Sequence, residues 1–233
     1  MRHMKSFDSA RWRHELKYSI TYAQRMELVQ RVREVMTLDP HVDEDGTYLI
    51  RSIYLETPDD RALREKLSGV ARRQKFRIRY YNNDTSRLKL EKKVKVNDLG
   101  TKFSAPLTED ECRAIIAGDI DWMADSPHAL IRELHARTLG EMWRPRVLVS
   151  YRRIPFVYGP GNVRVTFDFD ISTSLYSDNF LEPDWEFPVE TEKFTVMEVK
   201  YDDFLPDIIR CLIQTGETRQ VAVSKYGLSR RFG

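Results

Sequence analysis

Arg73-Gln74-Lys75-Phe76-Arg77-Ile78-Arg79-Tyr80-Tyr81 is followed, after the turn residues Asn82-Asn83-Asp84, by Arg87-Leu88-Lys89-Leu90-Glu91-Lys92-Lys93-Val94-Lys95-Val96. A strand sends alternate side chains to opposite faces. In the first run one face carries Arg73, Lys75, Arg77, Arg79 and Tyr81, and the other carries Gln74, Phe76, Ile78 and Tyr80. In the second run Arg87, Lys89, Glu91, Lys93 and Lys95 alternate with Leu88, Leu90, Lys92, Val94 and Val96. The Asn-Asn-Asp turn is hairpin chemistry, so the two runs are expected to pair. A solvated outer face is the plainer reading of one such strand. Two such strands side by side set like charges across a ladder, which is destabilising. Dense cationic rows on adjacent strands make physical sense when an anion neutralises them.

Further strands repeat the pattern. In Asn162 to Ile171, Arg164, Thr166, Asp168 and Asp170 share one face, opposite Val163, Val165, Phe167 and Phe169. In Phe194 to Tyr201, Glu198 and Lys200 share a face, opposite Met197 and Val199. The acids Glu91, Asp168, Asp170 and Glu198 are candidate points where a divalent metal bridges to phosphate oxygens. Strands are also read at His14–Ile20, Thr47–Leu55, 101–105 and Arg146–Tyr158. On Arg146–Tyr158, alternation leaves open whether Arg152 or Arg153 joins the cationic face, and a bulge settles it either way.

Helices are read between the strands. One starts at the cap Thr21 and runs to about Met36, with Met26, Val29, Val32 and Met36 at helical spacing. A short one follows Pro58-Asp59-Asp60 and ends at Leu67. Thr108 and Glu111 have capping-box spacing and start a helix to about Ala117. Two more span about Pro127–Glu141 and Pro206–Gln214, and the tail from Val221 to Gly233 reads as irregular. Hairpin-linked strands interrupted by helices indicate α+β with a mostly antiparallel sheet. Closed into a barrel, that sheet puts the charged rows inside as a basic tunnel and the apolar rows outside, under helices. This inverts the usual small barrel, whose interior is filled with apolar side chains.

Composition narrows the function. The chain has 233 residues, with 38 Lys and Arg against 36 Asp and Glu, for a net charge of +2. A generally basic protein is excluded, so anion affinity depends on how the charges are arranged. No repeat, low-complexity tract or linker divides the sequence, which reads as one domain over residues 1–233. No apolar run approaches the roughly 18–20 residues that span a bilayer, and Met1 to Trp12 lacks a signal-peptide apolar region. A cytoplasmic protein is expected, with any membrane association provided by a partner. Cys112 and Cys211 stand far apart without a CxxC pair or His cluster, which rules out a structural zinc site. Trp12, Trp122, Trp143 and Trp185 do not interleave with the basic rows, so no nucleic-acid partner is expected.

Several segments together resemble the VTC domain, the polyphosphate polymerase domain of the triphosphate tunnel metalloenzyme superfamily. They are His14-Glu15-Leu16-Lys17-Tyr18, Ser52-Ile53-Tyr54-Leu55, Phe76-Arg77-Ile78-Arg79-Tyr80-Tyr81, Leu90-Glu91-Lys92-Lys93, Tyr151-Arg152-Arg153, Val163-Arg164-Val165, Met197-Glu198-Val199-Lys200 and Ser224-Lys225-Tyr226. The resemblance implies a tunnel that binds ATP and polyphosphate with Mn²⁺ or Mg²⁺ and moves the γ-phosphate of ATP onto a polyphosphate chain. It implies Arg77, Arg79, Lys93, Arg153 and Arg164 as catalytic residues, Lys17, Lys102, Lys200 and Lys225 as substrate-binding residues, and Glu198 as the metal ligand. It also implies a separate membrane protein as partner. Two positions depart from the superfamily pattern. Arg13 stands where Glu-x-Glu-x-Lys has its first acid, and Ala222 stands where a second base precedes the last Lys. A hydrolase of tripolyphosphate or nucleoside triphosphates on the same fold, and a polyphosphate-binding sensor without catalysis, are the alternative readings.

Overall fold

The computed structural model describes residues 11–175, 178–182, 189–190, 194–214 and 219–220. Its strands are β1 (Arg13–Ile20), β2 (Thr37–Leu38), β3 (Tyr48–Glu56), β4 (Arg72–Tyr81), β5 (Asp84–Val96), β6 (Leu99–Pro106), β7 (Arg144–Tyr158), β8 (Val163–Ser174), β9 (Val189–Glu190), β10 (Thr195–Tyr201) and β11 (Arg219–Gln220). The helices are α1 (Tyr22–Arg33), α2 (Arg61–Leu67), α3 (Glu109–Ala117), α4 (Ala129–Glu141) and α5 (Asp207–Leu212). Strands pair in the order β7-β3-β4-β5-β6-β1-β10-β8, and β8 pairs back onto β7, so eight strands close a ring. β2, β9 and β11 attach to β7, β8 and β1. Pairing around the ring is antiparallel. The fold is therefore the α+β tunnel expected from the sequence.

Local chemistry sets the hairpins and helix starts. Asn82 and Asn83 both have positive φ, of 51° and 56°, in the two-residue loop between Tyr81 and Asp84. Asn tolerates that region, and the tight loop fixes the register of β4 on β5. Thr21 and Thr108 each close a capping box, with Gln24 and Glu111. In α1 the buried residues are Leu28, Val29 and Val32, and Met36 is buried just beyond it. Met26, expected in that stripe, is 45% exposed. It lies roughly 100° around the helix from the stripe's centre.

Apolar rows face outward beneath the helices. Phe76, Ile78, Leu88 and Leu90 pack with Cys112 and Ile115 of α3 and Ile131 and Leu134 of α4. Val163, Val165, Phe167, Met197 and Val199 pack with Leu28 and Val32 of α1 and Ile209 of α5. The ring's interior is not uniformly polar. Tyr48, Ile50, Tyr54, Val147, Val149, Tyr151, Ile171 and Val196 form a third apolar cluster on the inner faces. The interior is thus a charged lining beside an apolar wall. No helix among the described residues is long and apolar enough to cross a membrane.

Candidate functional site

β4 and β5 set their cationic rows face to face. Arg73 is opposite Lys95, Lys75 opposite Lys93 and Arg79 opposite Lys89, and only Arg77 meets an acid, Glu91. Lys93 is in turn opposite Lys102 of β6. Arg77 closes on Glu91 at 2.8 Å through Nε and 2.6 Å through its terminal nitrogen. Lys102 Nζ reaches the other Glu91 oxygen at 2.6 Å. Burial opposes ionisation of Glu91, but Arg77, Arg79 and Lys102 outweigh it and hold the carboxyl well below its usual range.

β1 and β10 supply a second charge cluster. Their register sets Glu15 opposite Lys200 and Lys17 opposite Glu198. Lys17 Nζ lies 3.0 Å from Glu198, and Lys200 Nζ lies 2.9 Å from it. Lys93 reaches across from β5 to both Glu15 oxygens, at 2.7 and 2.8 Å. Burial works against the Glu15 charge, and Lys17, Lys93 and Lys200 overcome it, so this carboxyl also sits well below its usual range. For Lys93, burial outweighs the Glu15 carboxylate, and repulsion from Lys17 and Lys200 helps bring its ammonium down to about 8.

Arginines and tyrosines line the part of the ring formed by β3, β4, β7 and β8. Arg153 makes a two-pronged pair with the fully buried Asp168, at 2.5 and 2.7 Å. Arg152 turns to the other face and meets Asp45 at 2.7 Å, so alternation places Arg153 and Tyr151 inside. Arg164 donates to Asp39 at 2.7 Å and to the Tyr48 hydroxyl at 2.6 Å. Arg77 donates to the Tyr54 hydroxyl at 3.2 Å. Arg79 is 4% exposed and donates to two neutral hydroxyls, Ser52 at 2.9 Å and Tyr151 at 2.8 Å. Among the described residues no carboxylate forms an ion pair with it. Tyr81 lies near Arg79 and Arg77, whose charges outweigh the effect of its burial and bring its phenol down to about 8.

The structure brings Lys17, Arg77, Arg79, Lys93, Lys102, Arg153, Arg164, Glu198 and Lys200 to the inner faces of one ring. Lys225 lies outside the described residues. Asp170 corrects the sequence reading, because it is exposed rather than part of the inner row. β7 and β8 slip register between Ser150 and Arg152, and Asp170 takes a left-handed φ of 48° as the extra residue. That bulge turns Ile171 inward in its place. Sequence reasoning did not assign roles to Glu15 or to the inner tyrosines. Glu15 had a signal, since its strand parity is that of Lys17. The tyrosines stand in apolar positions by type and become polar partners only when the ring closes.

A divalent ion was expected at Glu198. Glu15 is its neighbour around Lys17, whose Nζ is 3.8 Å from a Glu15 oxygen. Two carboxylates are the oxygen donors a hard cation takes when phosphate oxygens complete its shell. Among the described residues no group of three or more His, Cys, Asp and Glu stands ready to hold an ion. Glu198 and Glu15 thus fit a divalent ion whose remaining ligands are phosphate oxygens.

The family model of the VTC domain matches residues 12–232. No curated protein matches the sequence. Among solved structures, a proposed adenylyl cyclase from Hippeastrum, described as revealing a dominant triphosphatase activity, superposes with a TM-score of 0.56 at 12% identity, covering 94% of this chain and 96% of the other. A proposed adenylate cyclase from Bacillus halodurans gives a TM-score of 0.49 at 14% identity, covering 91% and 95%. The first of these likenesses shows the shared fold.

Proposed function

The chain belongs to the VTC domain family, and on that premise we propose that it is a metal-dependent phosphotransferase that moves the γ-phosphate of ATP onto a polyphosphate chain. The observation that carries the reading is Arg79, a buried guanidinium directed at neutral hydroxyls within a ring of further cations. Its direct contacts are hydroxyls, with the nearby Glu91 carboxylate taken up by Arg77 and Lys102, so a phosphate oxygen among Arg77, Arg79 and Arg153 would give it a charged partner.

Phosphoryl transfer asks for alignment and charge neutralisation more than for a protein nucleophile. Arg77, Arg79, Arg153 and Arg164 offer planar forks that fix phosphate orientation, held in place by Glu91, Tyr151, Asp168, Asp39 and Tyr48. Lys93 stands between this set and the β1–β10 cluster. Lys17, Lys102 and Lys200, with Lys225 in the same role, hold the remaining phosphates as point charges. Glu198 and Glu15 are the residues that would hold a Mn²⁺ or Mg²⁺ ion, which would supply neutralisation of phosphate charge.

The test is calorimetric titration with tripolyphosphate. Arg79→Lys keeps the charge and loses the fork, so affinity is expected to fall at least tenfold, about 1.4 kcal/mol. Unchanged affinity in both Arg79→Lys and Arg79→Ala contradicts the reading.

A further inference from the structure

Tyr48, Tyr54, Tyr81 and Tyr151 turn into the ring from β3, β4 and β7, in or against the inner apolar cluster. Arginines take three of their hydroxyls. Arg164 donates to Tyr48, Arg77 to Tyr54 and Arg79 to Tyr151. Tyr81 differs. Among the described residues its hydroxyl enters no hydrogen bond, and its contacts run through the ring. One is an edge against Tyr48, with centroids 5.5 Å apart, and another is the Arg79 guanidinium carbon, 5.9 Å from its centroid. Tyr81 is the last residue of β4, half-buried, and the exposed Asn82 and Asn83 follow it. It therefore stands at a mouth of the ring that solvent reaches.

Position and charge together suit this phenol to act as a nucleophile. Burial opposes its ionisation, Arg79 favours it, Glu91 of β5 opposes it, and Arg77 and Arg153 of β7 favour it; the balance brings the phenol down to about 8. A hydroxyl ionised in part near neutral pH is an activated oxygen nucleophile. The arginines that favour the phenolate are also those proposed above to hold the phosphoryl group, so acceptor and donor share one place. Thr166 also has a hydroxyl without a partner among the described residues, but it is 1% exposed and aliphatic, so it stays protonated.

We propose that Tyr81 is the first phosphoryl acceptor, taking the γ-phosphate of ATP and so priming a polyphosphate chain when no free acceptor is present. The inference rests on the function proposed above and adds to it where a chain begins. The Tyr81 oxygen bonds to the γ-phosphorus, and the bond from that phosphorus to the β–γ bridging oxygen breaks. ADP leaves with the electron pair, and the phenol proton passes to water. A terminal oxygen of the tyrosyl phosphate then attacks the next γ-phosphorus in the same way. At the mouth of the ring the anchored chain has room to loop outward as it grows.

The experiment incubates wild type and Tyr81→Phe with Mn²⁺ and ATP labelled in the γ-phosphate, with and without added pyrophosphate. Tyr81→Phe keeps the aromatic ring and its edge contact with Tyr48, so the variant is expected to fold. Brief acid treatment cleaves phosphoanhydrides and leaves an aryl phosphate, which peptide mass spectrometry then locates. Wild type is expected to carry an acid-stable phosphoryl group on Tyr81. Without pyrophosphate the variant's initial rate of polyphosphate synthesis is expected to fall at least about tenfold, and with pyrophosphate to stay within about threefold of wild type. Polyphosphate made by wild type with no phosphoryl group on Tyr81, or equal unprimed rates in the two proteins, overturns the priming role. Synthesis by wild type only when pyrophosphate is supplied, or equal losses in the variant with and without it, overturns it too. Wild type that makes no polyphosphate under either condition overturns the phosphotransferase itself, and the priming with it.

Discussion

Lys93 of β5 spans the interior to grip Glu15 of β1, with its ammonium 2.7 and 2.8 Å from the two carboxylate oxygens. The β6–β1 seam beside this contact is held by only two residue pairs, Arg13 with Gly100 and His14 with Leu99. The side-chain bridge therefore ties together strands whose backbone pairing is brief. It also occupies a lysine that a phosphate ligand needs, so the same contact supports the empty ring and competes with its ligand.

Glu15→Gln is expected to separate those two roles. It leaves Lys17, Lys93 and Lys200 without a shared acid, and breaking such buried pairing costs up to about 3–5 kcal/mol. The melting temperature falls in anion-free buffer and recovers in millimolar tripolyphosphate, because the anion replaces the lost carboxylate. Metal-free tripolyphosphate affinity rises. A differential scanning experiment with and without the anion reads both effects.

Arg153 and Asp168 make a dry pair, with side chains 9% and 0% exposed. Removing one member takes the two-pronged contact from the other, and each of Arg153→Met and Asp168→Leu is expected to lose up to about 3–5 kcal/mol in urea unfolding. The double variant regains part of that loss because neither member of the pair is left charged without the other. It does not regain phosphate affinity, which identifies Arg153 as a ligand contact and not only a strut.

Acid sensitivity follows from Glu15 and Glu91, both held well below the usual carboxylate range. A depressed native pKa means the unfolded chain takes up protons first as pH falls. The stabilisation is fully present above about 4.5, the ordinary glutamate value, and is lost progressively below it. Urea midpoints measured from pH 6 to pH 3 are expected to drop steeply below that value. Glu91→Gln starts lower and shows a shallower drop.

Gly161 has a φ of +69°, and a Cβ there lies 2.5 Å from the Phe204 carbonyl oxygen. Asp202 donates its backbone N–H to the Gly161 carbonyl at 3.1 Å and pairs through its side chain with Arg11 and with Arg13 at 3.1 Å. Gly161→Ala is expected to destabilise by at least about 1–2 kcal/mol from backbone strain alone. Chemical denaturation measures the loss.

Much of this was legible in the sequence because it depends on period-two alternation and local capping. The inner row of β4 and β5, both capping boxes and the asparagine turn are each fixed within a few residues. The placement of Arg153 was left open, and strand alternation into Tyr151 decides it once β3 is seen as the neighbour. Asp170 was misread because alternation holds only until a bulge, and nothing in Phe169-Asp170-Ile171 announces a left-handed residue. Met26 was misread because α1's stripe is centred on Leu28 and Val32. The partners of the cations, Glu15, Asp39 and the tyrosine hydroxyls, come from strands distant in sequence. Only ring closure brings them together. The two-residue strands β2, β9 and β11 are too short to leave a periodic signal.

The most direct measurement incubates the purified protein with ATP and Mn²⁺ and quantifies polyphosphate and free phosphate separately, alongside Glu198→Ala. The account expects wild type to accumulate polyphosphate and Glu198→Ala to make almost none while remaining folded. Free phosphate as the sole wild-type product, or polyphosphate made equally by the variant, contradicts it.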